Sequence, residues 1–417
     1  MPESPYPMIP VAEAIEIIMR ETPVLPPASM PFDRALGLVL AEEVRATAPM
    51  PPFPAAAVDG FAVVAGDTNP IRRIVGEQMA GHVAGVQVTP GSAARVTTGA
   101  PIPPGADAMV MVEFTEERDG EVEIRTTVEP GSGIRPAGTD IEAGQLVLAQ
   151  GTVLGPAEIG LLATVERWQV QVHPRPRVAV MSTGDEIREP GQDLQPGQIR
   201  DSNRYTLMSV VRQMGMEPLD LGIVHDQVAM LAETIERGLA EAEVLVTSGG
   251  VSMGQRDLVK PYLAEKGTLH FGRVNTKPGK PVTFATMDGG ARKRLVFALP
   301  GFPVSALVSF ENFVRPALLK MAGHTRLGRP RRRVRLAEDV RHSAERTEFQ
   351  RVIITRQADG SLLASTTGAQ GSGRLLSLHG ANGLIVLPHG RGDFPAGSEV
   401  EALLLDFPHE GGFEAGV

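Results

Sequence analysis

Three loops and one pair of lysines hold the residues of this chain best suited to chemistry. The loops are Ser182-Thr183-Gly184-Asp185-Glu186, Thr247-Ser248-Gly249-Gly250-Val251-Ser252-Met253-Gly254 and Leu299-Pro300-Gly301-Phe302-Pro303-Val304-Ser305. Glycines beside hydroxyl residues let backbone N–H groups come close to an anion. A helix starting just beyond adds its positive end. The pattern predicts phosphate or oxyanion binding through Thr183, Gly184, Ser248, Gly249, Gly250, Ser252, Pro300, Gly301 and Pro303. Any one loop alone reads better as a plain tight turn; three in register along one sheet edge reverse that and favour a ligand. Carboxylates accompany them: Glu186 ends the first loop, Asp201 precedes a helix, Asp226 follows a strand and Asp257 follows the glycine loop. Such oxygen ligands suit Mg2+, which binds through one or two carboxylates plus substrate phosphates. Asp201 and Asp226 read equally well as helix N-caps. Lys277-Pro278-Gly279-Lys280-Pro281 sets two cations on a stiff loop. At an effective dielectric near 20, each contributes about 4 kcal/mol to a unit anion roughly 4 Å away; standing alone, the loop would read as solvated.

Positioning these groups requires βαβ units. Val178–Met181, Leu219–Val224 and Glu243–Thr247 read as strands, and about Ser202–Gln213 as a helix. A further helix capped by Asp226 carries Val228, Leu231, Ile235 and Leu239 on one face, and Pro303–Met321 carries the stripe Phe310, Val314, Leu318 and Met321. Strands alternating with such helices predict a mostly parallel sheet with its loops at one edge. Outside this segment, 10–21, 33–46 and 153–168 have helical spacing. Short strands at 61–64, 108–112 and 121–125 are separated by Gly/Pro turns and predict a small β module inserted in a helical domain. Strands return after Gly323. Arg351–Arg356 and Leu362–Thr366 form a hairpin across Asp359-Gly360, a pair suited to a type I′ turn. The basic run from Arg326 to Arg335 reads as solvated linker and strand edge. The expected divisions are 1–46 and 141–176 as one helical or linker domain, 47–140 as the β-rich insert, 177–326 as α/β and 327–417 as β.

Composition narrows the functional classes. With 417 residues and 42% hydrophobic content, the chain has material for several buried cores. A net charge of −9 and 4% aromatic residues argue against nucleic-acid or anionic-membrane binding. There is no cysteine. That excludes disulfides, thiolate nucleophiles and thiolate metal sites, and fits a reducing, cytoplasmic setting. The start of the chain lacks a basic n-region and no apolar run is long enough to span a membrane, so neither a signal peptide nor a membrane segment is expected. The nine histidines form no HxxxH-type spacing.

Val58-Asp59-Gly60-Phe61-Ala62-Val63 and Arg95-Val96-Thr97-Thr98-Gly99-Ala100-Pro101 precede the three loops and the lysine motif in one order. Together these motifs, from about residue 10 to about 405, resemble the molybdopterin molybdenumtransferase family, often called MoeA. The resemblance implies a helical domain carrying a small β insert, a central three-layer α/β domain and a C-terminal β-barrel-like domain. It implies an elongated homodimer of four-domain chains. The implied reaction inserts molybdate into adenylylated molybdopterin and releases AMP by hydrolysis with Mg2+. By motif position, Asp59, Thr98 and Asp140 would lie on the β insert, facing the α/β domain of the partner subunit. Glu186, Asp226 and Asp257 would serve phosphoanhydride cleavage and, with Asp201, the metal. Lys277, Lys280, Ser305, Arg351 and Ser372 would form the molybdate pocket, the last two resting on the shorter motifs Phe349-Gln350-Arg351 and Gln370-Gly371-Ser372. Implied partners extend to the molybdopterin adenylyltransferase and to acceptor molybdoenzymes or their chaperones.

The chain departs from the family pattern in places. Val58 and Phe61 stand where methionine and tyrosine are usual, Phe302 where asparagine is usual, and Arg273 where lysine is common. Two rival readings share the α/β loops. One is a molybdopterin adenylyltransferase, which lacks modules like residues 1–175 and 327–417. The other is a non-catalytic binding scaffold.

Overall fold

The computed structural model describes residues 6–250, 258–290 and 292–410. The chain divides into two compact units: Met1–Ala28, Gly37–Val39 and His173–Val417 form the larger, Ser29–Leu36 and Leu40–Val172 the smaller.

The larger unit is built on a six-stranded sheet in the order Pro218–Val224, Val178–Thr183, Val244–Ser248, Lys293–Leu299, Thr283–Asp288, Gly267–Phe271. The first four strands are parallel and the last two join antiparallel. Near-continuous apolar runs are what such a sheet needs, because both faces are covered. Alternate residues serve opposite cores. Val178, Val180, Val244 and Val246 meet Leu207, Val211 and Phe310 on one face. Ala179, Met181 and Leu245 meet Leu231, Ile235 and Leu239 on the other. The helix Val11–Glu21 also packs on the first core, through Ala14 and Ile18. It therefore belongs with the α/β domain rather than with residues 40–46 of the expected first segment.

Two expected helices change. Pro303–Met321 is helical throughout, but a π-helical stretch, Phe310–Val314, separates Pro303–Ser309 from Arg315–Met321. Pro316 lacks the N–H that would bond the Asn312 carbonyl, so the regular ladder breaks there. The stripe Phe310, Val314, Leu318 and Met321 is fully buried. The helix expected over 33–46 does not form. A 3-10 turn, Phe32–Arg34, gives way to strands Val39–Leu40 and Val44–Arg45. Gly37, at φ +75°, stops helical propagation between them. The helix after Asp226 spans Val228–Glu241, and Gln227 occupies the cap position without a side-chain bond.

Beyond the helices, Arg331–Leu336, Thr347–Arg356, Leu362–Thr366, Gly383–Leu387 and Glu399–Leu404 pair into a closed five-stranded barrel. Val334, Val352, Ile354, Ile385 and Ala402 fill its interior. The arginine run is split by function. Arg329 forms a two-pronged bond to Glu311 at 2.8 and 3.0 Å, fixing the barrel's first strand to the helical layer. Arg331 and Arg333 make exposed pairs with Glu401 and Glu399. The hairpin from Thr347 to Thr366 is present, but its loop is longer than the expected two-residue turn, since Arg356 pairs with Leu362. The Asp-Gly pair with both residues at positive φ is Asp119-Gly120.

The smaller unit carries a six-stranded sheet that includes Gly60–Val63, Ser92–Val96, Ala108–Met111 and Glu121–Ile124. Its helix, Pro156–Thr164, is closed at its start by the Glu158 carboxylate, which accepts the Gly155 N–H at 2.9 Å. No helix among the described residues is long and apolar enough to cross a membrane.

Candidate functional site

The connections from strands Val178–Thr183 and Val244–Ser248 run to opposite sides of the sheet, which opens a crevice at their carboxyl ends. A cavity of about 690 Å³ lies there, lined by Thr183, Gly184, Glu186, Asp201, Asn203, Asp226, Ser248, Gly249, Gly250, Pro300, Gly301 and Pro303. All three sequence-predicted loops meet in it. Gly249 and Gly250, at φ +94° and +67°, lie hard against the first loop. A Cβ on Gly249 would stand 2.5 Å from the Thr183 carbonyl oxygen, and one on Gly250 2.9 Å from Thr183 Oγ1. The glycines thus close the crevice floor, and the Gly249 N–H donates to the Leu299 carbonyl at 3.0 Å, joining the second loop to the third.

Asn203 was not singled out by the sequence. Its Nδ2 donates to Ser248 Oγ and to the Gly301 carbonyl, both at 2.7 Å, tying the second loop to the third. Its Oδ1 and Thr183 Oγ1 are buried without a hydrogen-bond partner among the described residues.

The carboxylates separate into two kinds. Asp201 is 3% exposed and already engaged. Its Oδ1 accepts Ser182 Oγ at 3.0 Å and the Arg204 N–H at 3.1 Å, and its Oδ2 accepts Arg204 Nε at 2.9 Å. The capping reading of Asp201 therefore describes its bonds, and its lone pairs face a buried guanidinium. Arg204, also unpredicted, is the hub of Asp201, Asp220 and Glu189. Burial works to lower its pKa, but the hydrogen bonds to Asp201 and Asp220 outweigh it and raise the value. Glu186 and Asp226 also line the cavity, and the Glu186 carboxylate lies over Gly184, within 2.9 Å of where a Cβ would stand. Ser252 and Asp257 lie outside the described residues. Among the described residues no three acidic or histidine side chains converge to hold a metal.

A second cavity, about 820 Å³, lies between the α/β loops and the barrel; Lys277, Lys280, Ser305 and Ser372 line it. The barrel adds Arg341 and Arg346, which the sequence did not mark because nothing in their spacing pairs them with the lysines. Lys280, Arg341 and Arg346 have no ion-pair partner among the described residues, so the wall carries net positive charge. Lys277 Nζ stands 3.0 Å from Glu348 Oε1. The Ser372 carbonyl accepts the Val304 N–H at 3.0 Å, seating the barrel loop on the helix start. Arg351 is not on the cavity surface. It is fully buried behind the wall, with Nε on Ser377 Oγ at 3.1 Å and a terminal nitrogen on the Gly371 carbonyl at 3.3 Å. Burial pulls its pKa down to about 10, against a smaller opposing pull from Glu348. Pro281, Pro300 and Phe302 line both cavities, and the Phe302 side chain is largely exposed.

In the smaller unit, Asp59 Oδ1 accepts the Thr98 N–H at 2.7 Å. Bonds from the Thr98 backbone and hydroxyl hold the exposed Asp59 carboxyl below its ordinary pKa. Asp140 is exposed and receives one Arg135 nitrogen on both oxygens at 2.6 Å. Phe61 is core: it is 2% exposed, with the Arg95 guanidinium 5.1 Å from its ring centre.

Three family descriptions match in chain order: MoeA N-terminal region (domain I and II) over residues 9–166, probable molybdopterin binding domain over 179–320, and MoeA C-terminal region (domain IV) over 333–405. A molybdopterin molybdenumtransferase from Nostoc is 38% identical, over 89% of this chain and 87% of that one. A Dictyostelium discoideum gephyrin is 36% identical over 96% of this chain, which spans only 63% of that longer protein. The crystal structure of a molybdopterin biosynthesis MoeA protein from Pyrococcus horikoshii superposes with a TM-score of 0.82 at 32% identity, covering 96% of this chain and all of that one. With matches spanning nearly its whole length in the same domain order, the chain belongs to the MoeA family of molybdopterin molybdenumtransferases.

Proposed function

We propose that the chain inserts molybdate into adenylylated molybdopterin and releases AMP with the help of Mg2+. The observation that carries this reading is the wall shared by the two cavities, Pro281, Pro300 and Phe302. A ligand held by its phosphates in the cleft would present its other end to an anion in the cationic cavity. The Ser248-Gly249-Gly250 loop would hold the phosphates at the crevice floor. Glu186 and Asp226 would hold the magnesium, since two carboxylates with phosphate oxygens suit that ion. The bound ion would offset phosphate charge during anhydride cleavage. Lys277, Lys280, Ser305 and Ser372 donate to a tetrahedral dianion. Arg351 acts from behind, holding the Gln370-Gly371-Ser372 loop in place. Family membership also supports a homodimer in which the exposed Asp59, Thr98 and Asp140 face a partner's cleft; light scattering on the purified protein tests the dimer.

The functional test is AMP release from adenylylated molybdopterin, with and without molybdate and Mg2+. Molybdate-dependent release is expected, lost on chelation, with Lys280→Ala raising the molybdate KM about tenfold, the worth of roughly 1.4 kcal/mol. Adenylylated product formed from ATP and molybdopterin would instead make this an adenylyltransferase. Tight binding without turnover would make it a binding module.

A further inference from the structure

We propose that Glu348 is a positioning residue that aims the Lys277 ammonium into the cationic cavity, with His342 bracing Glu348 from behind. The inference rests on reading that cavity as the molybdate pocket.

The backbone brings the pair together. Thr276–Lys277 runs parallel to the start of Thr347–Arg356, with Lys277 directly opposite Glu348. This short pairing joins the lysine loop of the α/β domain to the barrel. The side chains complete a chain of contacts. Glu348 Oε1 is 3.0 Å from Lys277 Nζ, and Oε2 is 2.9 Å from His342 Nδ1. His342 Nε2 in turn lies 3.2 Å from the Pro388 carbonyl oxygen, and the His342 N–H donates to Asp393 at 2.7 Å. Glu348 and His342 are 2% and 6% exposed, whereas the Lys277 side chain is 42% exposed. The arrangement is therefore rigid at its buried end and open only at the ammonium.

Such an arrangement has a specific consequence for anion binding. An ammonium has three donors. Glu348 occupies one, leaving the others for a ligand in the cavity that Lys277 lines. A free lysine would have to be ordered when the anion arrives; here that ordering is done in advance. The charge Glu348 cancels at Lys277 is made up by Lys280, Arg341 and Arg346 on the same cavity. Long-range attraction thus comes from those three groups, and local geometry from the Glu348–Lys277 pair.

The test compares wild type, Lys277→Ala, Glu348→Gln, Glu348→Asp and the double variant Lys277→Ala/Glu348→Gln. Molybdate affinity is read by calorimetry, and molybdate KM and kcat by AMP release. Glu348→Gln is expected to weaken molybdate binding about 10- to 100-fold, the range for losing a group that orients a directly binding one. The KM for adenylylated molybdopterin should stay at the wild-type value. Glu348→Asp should fall between, and Glu348→Gln should add little once Lys277 is gone. Wild-type molybdate affinity in folded Glu348→Gln, or full additivity in the double variant, overturns the positioning role. If Glu348→Gln does not fold, His342→Gln decides: a several-fold loss supports the proposal and unchanged affinity overturns it. Unchanged molybdate affinity in folded Lys277→Ala would instead remove the molybdate-pocket reading on which the inference rests.

Discussion

Asn203 offers a sharp test of how the cleft is assembled. Its carboxamide nitrogen bonds Ser248 Oγ and the Gly301 carbonyl, each at 2.7 Å. A carbonyl can only accept, so the atom facing Gly301 must be the NH2 group. Replacing Asn203 by alanine removes both bonds. At a net 0.5–1.5 kcal/mol each, the loss is about 1–3 kcal/mol. Expressed wholly in the loop geometry that binds ligand, this is about a 5- to 150-fold weaker Kd. Replacing Asn203 by aspartate does more, because an acceptor then faces the Gly301 carbonyl and the two repel. The assay is calorimetric titration of molybdopterin into wild type, Asn203→Ala and Asn203→Asp, with thermal melts alongside. The expected order of affinity is wild type, alanine, aspartate. Aspartate binding as well as or better than alanine would refute the clamp, and equal Kd for all three would mean the loops hold their geometry without it.

Arg204→Met should be among the most damaging single changes in the α/β domain. It leaves the buried Asp201 carboxylate without its charge partner, at a cost of about 3–5 kcal/mol, and a urea-unfolding loss under about 1 kcal/mol would contradict the hub. Phe302 lies exposed on the wall between the cavities, so stacking of its ring on the flat heterocycle predicts that Phe302→Ala weakens molybdopterin binding at least fivefold, about 1 kcal/mol or more; an unchanged Kd would refute the stacking. His324 and His270 both have lowered pKa values. Burial is the main cause, aided at His324 by Arg175 and Arg315, and at His270 by Lys293 and Arg20 against Glu21. The unfolded chain then binds more protons below about pH 6.5, so stability present above that pH is lost as the pH falls. His324→Gln should flatten the fall in melting temperature between about pH 7 and 5; an unchanged slope would refute the assignment.

The sequence was enough to place the α/β sheet and its loops. Apolar runs such as Val178–Met181 and Val244–Val246 suit only a strand covered on both faces, and the loops follow from where those strands end. The glycine pair and the carboxylates were also visible, because their chemistry is local. Short segments were harder. The spacing of Leu36, Leu40 and Val44 mimics a helix, and Gly37 breaks it in a way periodicity does not register. The roles of individual site residues depended on packing across long separations. Asp201 read equally as a metal ligand or a helix cap, and only the fold showed its oxygens accepting from Arg204 and Ser182. Arg351 looked like an anion ligand, yet the barrel buries it behind the loop it supports. Asn203 and Glu348 carry no sequence signal, since Ser248, Gly301 and Lys277 lie dozens of residues from them, and Arg341 and Arg346 reach the lysine cavity only through the fold of the barrel. Residue type and spacing encode what a segment can bury and where it must turn. Which polar atoms are left for a ligand is settled only when distant segments have satisfied the rest.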